Sequence, residues 1–370
     1  MKNQKWNKYI STFLAVIASA AALPFLTEAS VLMIEAGAGT AALVIAAAAA
    51  FAVSYVLSIL VHEGGHCVAG LLSGYSLTSF RVGRTMFLRG EDGFKKKKLH
   101  LQGTAGQCIM APPELKDGKM PVIFYNMGGV LMNLIFAGLS LLLYYAVPSP
   151  TLKLVFAVDL MMELMLALTN GVPLRISGVS NDGMNALELS RDPAAGRAFW
   201  IQLKANELLA RGVRMRDMPE EWFAMPSDGE MEISLCAYLA ALRNDLLMDR
   251  QEFREALELQ DRVIDGDNAL LPLHRNLMEC DRITASLLLG NNSHARMMTD
   301  AEFSRFLISM RNYPSVIRTQ YVYELLYTGS REKAENCRAR FEKIASGYPY
   351  DSVTASEREK MAAADARSER

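Results

Sequence analysis

Residues 41–75 read AALVIAAAAAFAVSYVLSILVHEGGHCVAGLLSGY, and their first part, Ala41 to Val61, contains no charged residue. A helix needs about 20 apolar residues to cross a bilayer, so this run is long enough. No helix stop separates it from His62-Glu63-Gly64-Gly65-His66 and a second apolar run, Cys67 to Leu72. Residues four apart share a helix face, so His62 and His66 can grip one metal ion. Glu63 sits beside them, where it can accept a proton from water held at such a metal. HExxH alone is moderately specific. The setting sharpens it, because ionisable groups inside a membrane helix cost several kcal/mol and are functional by default. Two solvated histidines at a helix end are the competing, weaker reading.

The chain has 370 residues, room for two or three domains, and its 51% hydrophobic and 21% charged content conceals a sharp split. Almost all long apolar runs fall between residues 9 and 172, whereas 184–370 reads as a charged, soluble helical protein. The expected fold is mainly α: a polytopic membrane helix bundle of about four spans, a cytoplasmic β-hairpin loop and an α-helical soluble domain. We place the membrane domain at 1–183 and the helical domain at 184–370. A net charge of −1, with no Lys/Arg stripe interleaved with aromatics, argues against a general nucleic-acid binder. Cys67, Cys108, Cys236, Cys280 and Cys337 are scattered singly. That is neither a CxxC metal site nor a secreted disulfide framework, and it fits a reducing compartment for the soluble half.

Lys2, Lys5 and Lys8 precede an apolar run over 9–26, read as a retained membrane helix because it exceeds the core of a cleavable signal peptide. The connection Thr27 to Thr40 is acidic and lacks Lys and Arg, so the second span, 41–74, returns inward with HEGGH near its cytoplasmic end. Residues 76–120 hold nine Lys/Arg against four Asp/Glu, the mark of a cytoplasmic loop. Strands are expected over Ser76–Arg89 and Phe94–Gln102, around a turn at Glu91-Asp92-Gly93. The run Lys95 to Lys98 reads as a solvated stop signal, with contact to anionic headgroups as the alternative. A third span, 122–147, carries Gly128-Gly129 and Asn133, residues that allow close helix approach and hydrogen bonding between helices. The turn Pro148-Ser149-Pro150 leads to a fourth span, 151–172, which holds Asp159 and Glu163 and breaks at Pro173. Four spans that start inside end inside. The expectation is an integral protein of a bacterial cell membrane, with its N-terminus and C-terminal domain cytoplasmic.

Beyond Asp192-Pro193, a helix cap and first turn, the pattern is amphipathic and helical, interrupted by a Met/Pro/Gly-rich connector over 215–230. Ala256, Ala295 and Ala334 recur every 39 residues, with Gly290 and Gly329 at one shared offset and Gln251 there in the first unit. This period, from about residue 231, suggests tetratricopeptide-like stacking, although most consensus aromatics are absent. An irregular bundle stays open as the alternative. His274 and His294 lie alone and need no metal. Ser356 to Arg370 reads as a fraying helix.

Two histidines leave a catalytic zinc short of a ligand, since such sites take three protein donors and a water. No HExxHxxGxxH extension follows, and the carboxylates at a suitable depth are Asp182, Glu163 and Asp159. The order of motifs resembles the site-2 protease family of intramembrane zinc metalloproteases. That family carries HExxH in one membrane helix, GPxxN in the next, and NxxPxxxxDG at the third core helix. The matching residues here are His62 to His66, Gly129-Val130-Leu131-Met132-Asn133, and Asn170-Gly171-Val172-Pro173 leading to Asp182-Gly183. The resemblance covers roughly residues 38–185. It implies one Zn2+ per chain held by His62, His66 and Asp182, with Glu63 as general base and Asn133 and Asn170 lining a substrate groove. Glu163 remains an alternative ligand. Otherwise Asp159 and Glu163 are read as a buried polar pair bonded to neighbouring helices. There are two departures: Val130 replaces a proline, and Asp182 lies nine residues after Pro173 where the family places it about five after.

The function that follows is an intramembrane zinc metalloendopeptidase cleaving membrane-embedded protein substrates near the cytoplasmic face, as in regulated intramembrane proteolysis. A substrate helix hides its carbonyls in its own hydrogen bonds, so it must unwind, and a strand edge within 76–102 would hold it extended. The helical domain would bind a protein partner or restrain access. The alternative is a catalytically inactive protease-like membrane scaffold, favoured by the displaced Asp182 and opposed by the intact HExxH. A transporter fits poorly, because no inverted repeat is visible.

Overall fold

The computed structural model describes residues 2–90, 92–99, 104–176 and 178–369. The chain falls into two compact units, Met1–Met86 with His100–Gly196, and Phe87–Leu99 with Arg197–Arg370. The first holds the membrane helices: α1 (Lys2–Glu35), α2 (Thr40–Leu72), α3 (Val122–Ala146) and α4 (Pro150–Gly171).

The first helix outruns its expected end. Pro24 lies inside it, and the helix continues to Glu35, so the connection expected over 27–40 shrinks to residues 36–39. The polar residues that suggested a loop are satisfied within the helix: Thr27 Oγ1 donates to the Leu23 carbonyl at 2.8 Å and Ser30 Oγ to Leu26 at 2.7 Å. By length and apolarity α1, α2 and α3 can each cross a membrane. Helix α4 carries Lys153, Asp159 and Glu163 along its length, yet it packs against the other three. Its acids point inward. Ser140 Oγ donates to Asp159 at 2.6 Å, and the Asn133 amide donates to Glu163.

Two glycines bring α2 and α3 into backbone contact. A Cβ added at Gly65 would stand 2.7 Å from the Met132 Cβ, and one at Gly128 would stand 2.6 Å from the Ala69 Cβ. Small residues permit such approach, and in lipid this packing is what holds helices together.

Between α2 and α3 run four strands, β1 (Ser76–Val82), β2 (Thr85–Gly90), β3 (Gly93–Lys98) and β4 (Gly106–Ala111), in the order β3-β2-β1-β4. The stretch expected as one strand over 76–89 is therefore two, joined at Gly83-Arg84, where Gly83 takes a φ of +57° that suits a two-residue hairpin loop. Glu91 of the expected turn and residues 100–102 of the expected second strand lie outside the described residues. The fourth strand went unread because its sequence, GQCIMA, has no clear alternation and too few residues to stand out. It pairs antiparallel with β1, from Ser76 opposite Ala111 to Val82 opposite Gly106.

After α4 the chain makes a two-stranded ribbon, β5 (Arg175–Ile176) and β6 (Val179–Ser180), then α5 (Asp182–Arg191). Helix α5 packs on α3 and α4 and belongs to the first unit, which runs to Gly196.

The second unit contains most of α6 (Pro193–Ala210), then α7 (Ser234–Asp249), α8 (Phe253–Asp265), α9 (Pro272–Leu289), α10 (Ala301–Ser309), α11 (Pro314–Leu326), α12 (Arg331–Ala345) and α13 (Asp351–Ser368). The 39-residue spacing returns here as backbone geometry. Gln251, Gly290 and Gly329 all adopt positive φ, at +61°, +82° and +72°. Ala256, Ala295 and Ala334 are all buried, each shortly after one of those turns. The fully buried Arg318 ties three helices, with Nε 2.7 Å from Glu357 of α13 and Nη2 on Asp281 of α9. In the same unit Lys97 reaches the Tyr348 carbonyl at 3.3 Å and Asp351 at 3.9 Å, so this lysine of the basic run has protein partners.

Candidate metal centre

The unbroken run of α2 puts His62 and His66 one turn apart on one face, with their Nε2 atoms 3.3 Å from each other. Asp182, first residue of α5, brings its Oδ2 to 3.1 Å from His62 Nε2 and 3.4 Å from His66 Nε2. These three residues are the group among the described residues that can hold a metal ion.

The second ring nitrogens fix how the imidazoles present themselves. His62 Nδ1 lies 2.7 Å from Asn133 Oδ1, and His66 Nδ1 lies 2.9 Å from the Tyr125 carbonyl. Both partners accept, so each Nδ1 carries the proton and each Nε2 offers a lone pair to the centre. Asp182 Oδ2 is buried without a hydrogen-bond donor. Three lone-pair donors facing one another without a proton between them form an arrangement that a cation resolves. Their spacing fits as well. Donors at roughly 2.0–2.2 Å from a tetrahedral zinc stand about 3.3–3.6 Å apart, close to the separations seen here.

The position of Asp182 has a specific cause. Strands β5 and β6 pair Arg175 with Ser180 and Ile176 with Val179, and Gly178 turns at a φ of +86°. Asn181 closes the ribbon: its backbone N–H donates to the Leu174 carbonyl and its Oδ1 accepts from the Leu174 N–H, both at 3.0 Å. Its amide nitrogen also donates to the carbonyls of Thr169 at 2.8 Å and Val172 at 2.6 Å. The residues in excess of the family spacing fall within this folded-back ribbon, whose base brings Asn181 beside Leu174 and so carries Asp182 back to the bundle. The same Asn181 Oδ1 caps α5 through Met184 N at 3.0 Å.

The other expected site residues take different places. Asn133 is fully buried behind His62 and does not line an open groove; its amide reaches Glu163 and, at 3.4 Å, the Ser58 carbonyl. Glu163, the alternative ligand, stands behind Asn133 on the Nδ1 side of His62 and is not part of the three-donor group. Asn170 donates to the Leu166 carbonyl of its own helix at 3.1 Å.

Gly129 explains why a glycine opens the second motif. A Cβ there would lie 2.7 Å from both His62 Cε1 and His66 Nε2, so α3 passes directly over the rings. Gly106, at the start of β4, stands as close to Glu63: an added Cβ would meet Glu63 Cγ at 2.6 Å and Ile59 Cγ2 at 2.8 Å. The buried Arg81 holds this strand end in place, donating to the carbonyls of Gly83 at 2.7 Å and Gly106 at 3.1 Å. Sequence reading missed Tyr125, Asn181, Gly106 and Arg81. Only Asn181, an Asx residue just before a helix, left a local signal.

Residues 33–214 match the family model described as Peptidase M50B-like. This part of the chain belongs to the site-2 protease family. No curated protein and no solved structure matches the chain. Family membership makes this an integral membrane peptidase whose motif residues meet in space, and the match runs past the motifs through α5 and α6.

Proposed function

We propose that this peptidase is a zinc endopeptidase cleaving membrane-inserted protein substrates near the cytoplasmic face. The observation that carries the proposal is the convergence of His62 Nε2, His66 Nε2 and Asp182 Oδ2 on one point, with Glu63 beside them on α2. His62, His66 and Asp182 would hold the ion. The chemistry supplied by zinc there is Lewis acidity, which lowers the pKa of a water toward about 7 and polarises a peptide carbonyl. Glu63 takes the proton from the attacking water and returns it to the leaving amine. Asn133 and the Tyr125 carbonyl keep both imidazoles in the required tautomer throughout.

An extended substrate needs backbone partners once its own helix is unwound. Strand β4 is one of the two edge strands of the sheet and begins at Gly106, against Glu63. A substrate strand laid along β4 would therefore pass the general base, with main-chain hydrogen bonds fixing its register. We place that edge on β4 rather than within 76–102. The excess of Lys and Arg over 76–120 supports a cytoplasmic setting for it, with α4 as a fourth crossing and the helical unit on the same side as a surface for a protein partner. The scaffold alternative leaned on a displaced Asp182, and the β5–β6 hairpin takes up that displacement.

The test uses purified full-length protein. Wild type should carry about one zinc per chain, and Asp182→Ala should lose it. Glu63→Gln should keep the metal and abolish trimming of single-span membrane proteins compared across membrane proteomes. Equal processing by wild type and Glu63→Gln would overturn the proposal.

A further inference from the structure

The second unit encloses a cavity of about 250 Å³ walled by α6, α7, α9, α13 and the residues that precede α11 and α13. Pockets for drug-sized ligands run to about 300–1,000 Å³, so this one admits a small molecule or a single side chain. Its wall combines aromatic rings with acids. Tyr313 and Tyr348 meet edge to face at 6.3 Å between centroids, Tyr348 and Tyr350 lie at 6.1 Å, and Tyr238 joins them on the lining.

Four carboxylates line the same space, and three have cationic partners. Asp249 pairs with Arg214; Asp281 and Glu357 pair with Arg318; and Lys360 sits 2.9 Å from Glu357. Asp245 forms no ion pair among the described residues. It is half-buried on the cavity lining, where the Asn244 side chain is its hydrogen-bonding neighbour.

We propose that this cavity is a binding site for an alkylammonium group, seated against the Asp245 carboxylate and the surrounding tyrosine rings. Ring faces attract a cation through their quadrupole, and a carboxylate accepts the ammonium N–H bonds. The wall holds no competing free cation. Lys360 is engaged by Glu357, and burial pushes His274 down to about 4, leaving it neutral. An ammonium gains an ion pair once Asp245 ionises, which neither an anion nor a neutral ligand can offer.

The resting charge of Asp245 follows from the groups that face it. Burial, with Asp281 and then Glu357 adding repulsion and Lys360 pulling the other way, raises its carboxyl to about 8. Asp249 lies on the same helix and is held ionised by Arg214, while the tyrosines stay neutral because burial raises them. At pH 7 the empty site therefore keeps a proton on Asp245, and ammonium binding displaces it. Affinity should rise with pH up to about 8, by up to tenfold per unit, and level off above.

Calorimetric titration of the full chain in detergent tests this with butylammonium chloride, 1-butanol as its neutral analogue, and a short blocked peptide containing one lysine. Butylammonium or the lysine peptide should bind, butanol should not, and whichever of the first two binds tighter assigns the source to a free amine or a protein side chain. Asp245→Asn, close in shape to the protonated acid, should weaken binding at least about tenfold, whereas the exposed Asp228→Asn should change nothing. Titration in two buffers of different ionisation enthalpy should reveal a released proton at pH 7. Full affinity in a folded Asp245→Asn protein, binding of butanol as tight as butylammonium, or binding without proton release would each overturn the assignment.

Discussion

Replacing Asn133 by alanine should weaken zinc binding without touching a ligand. Asn133 Oδ1 is the acceptor for His62 Nδ1 at 2.7 Å, and Asn133 itself is fully buried inside the helix bundle. Its removal leaves a buried N–H donor unpaired, which costs about 1–3 kcal/mol, and frees the imidazole to turn or to adopt the other tautomer. At 1.4 kcal/mol per factor of ten, zinc affinity falls roughly 5- to 150-fold, in line with the 10- to 100-fold typical of such supporting residues. Glu163 loses the same amide as a donor, which adds a stability cost. Glu163→Gln separates the two effects: its amide oxygen can still accept from Asn133, so zinc affinity should change by less than about threefold. The assay is competition with a chelator of known affinity on purified protein, with helicity followed in parallel to exclude unfolding. An Asn133→Ala protein that is folded and binds zinc as tightly as wild type would refute the idea that Asn133 holds His62 in its tautomer.

Other outcomes follow from the same geometry. Gly106→Val should abolish peptidase activity by more than about 100-fold while metal content stays near one per chain, because the new side chain displaces Glu63 and not the ligands; metal loss in step with activity would contradict this. Asn181→Ala removes the cap of α5 and the closure of the ribbon, so it should cost about 1–2 kcal/mol in stability and lower zinc affinity as Asp182 drifts, both readable in a melting series with and without metal. Burial works against ionisation of Glu357, yet Arg318 and Lys360 prevail and lower its carboxyl from 4.5 to about 2. Its contribution to stability is therefore present above pH 4.5 and lost as pH falls toward 2. Glu357→Gln should be less stable than wild type at pH 7, with the difference closing over that window in acid melts.

The metal helix was open to reading because its signal is local. One turn of α2 carries both imidazoles and Glu63, and a long run without charge declares the membrane, so composition and a spacing of four sufficed. The second and third motifs were found by their residue types, and Gly129 had a role only after α3 was laid across the rings. Which neighbours Asn133 and Glu163 would meet was not legible for a related reason. Both were known to be polar groups at membrane depth, but depth does not say which side of His62 they occupy.

Sequence alone determined the membrane helices, the pair of histidines with their neighbouring acid, and the spacing of the C-terminal units, since each depends on residues within a turn or a fixed period of one another. Tertiary structure alone decided that Asp182 reaches the histidines, because that requires a hairpin closed by Asn181 to cancel the extra residues of the loop. It also decided that β4 brings Gly106 against Glu63, and that Asp245 lines a tyrosine-walled cavity with no ion-pair partner among the described residues. In those cases the partners lie tens of residues or more apart, and no local preference of the chain encodes which of many polar groups will meet.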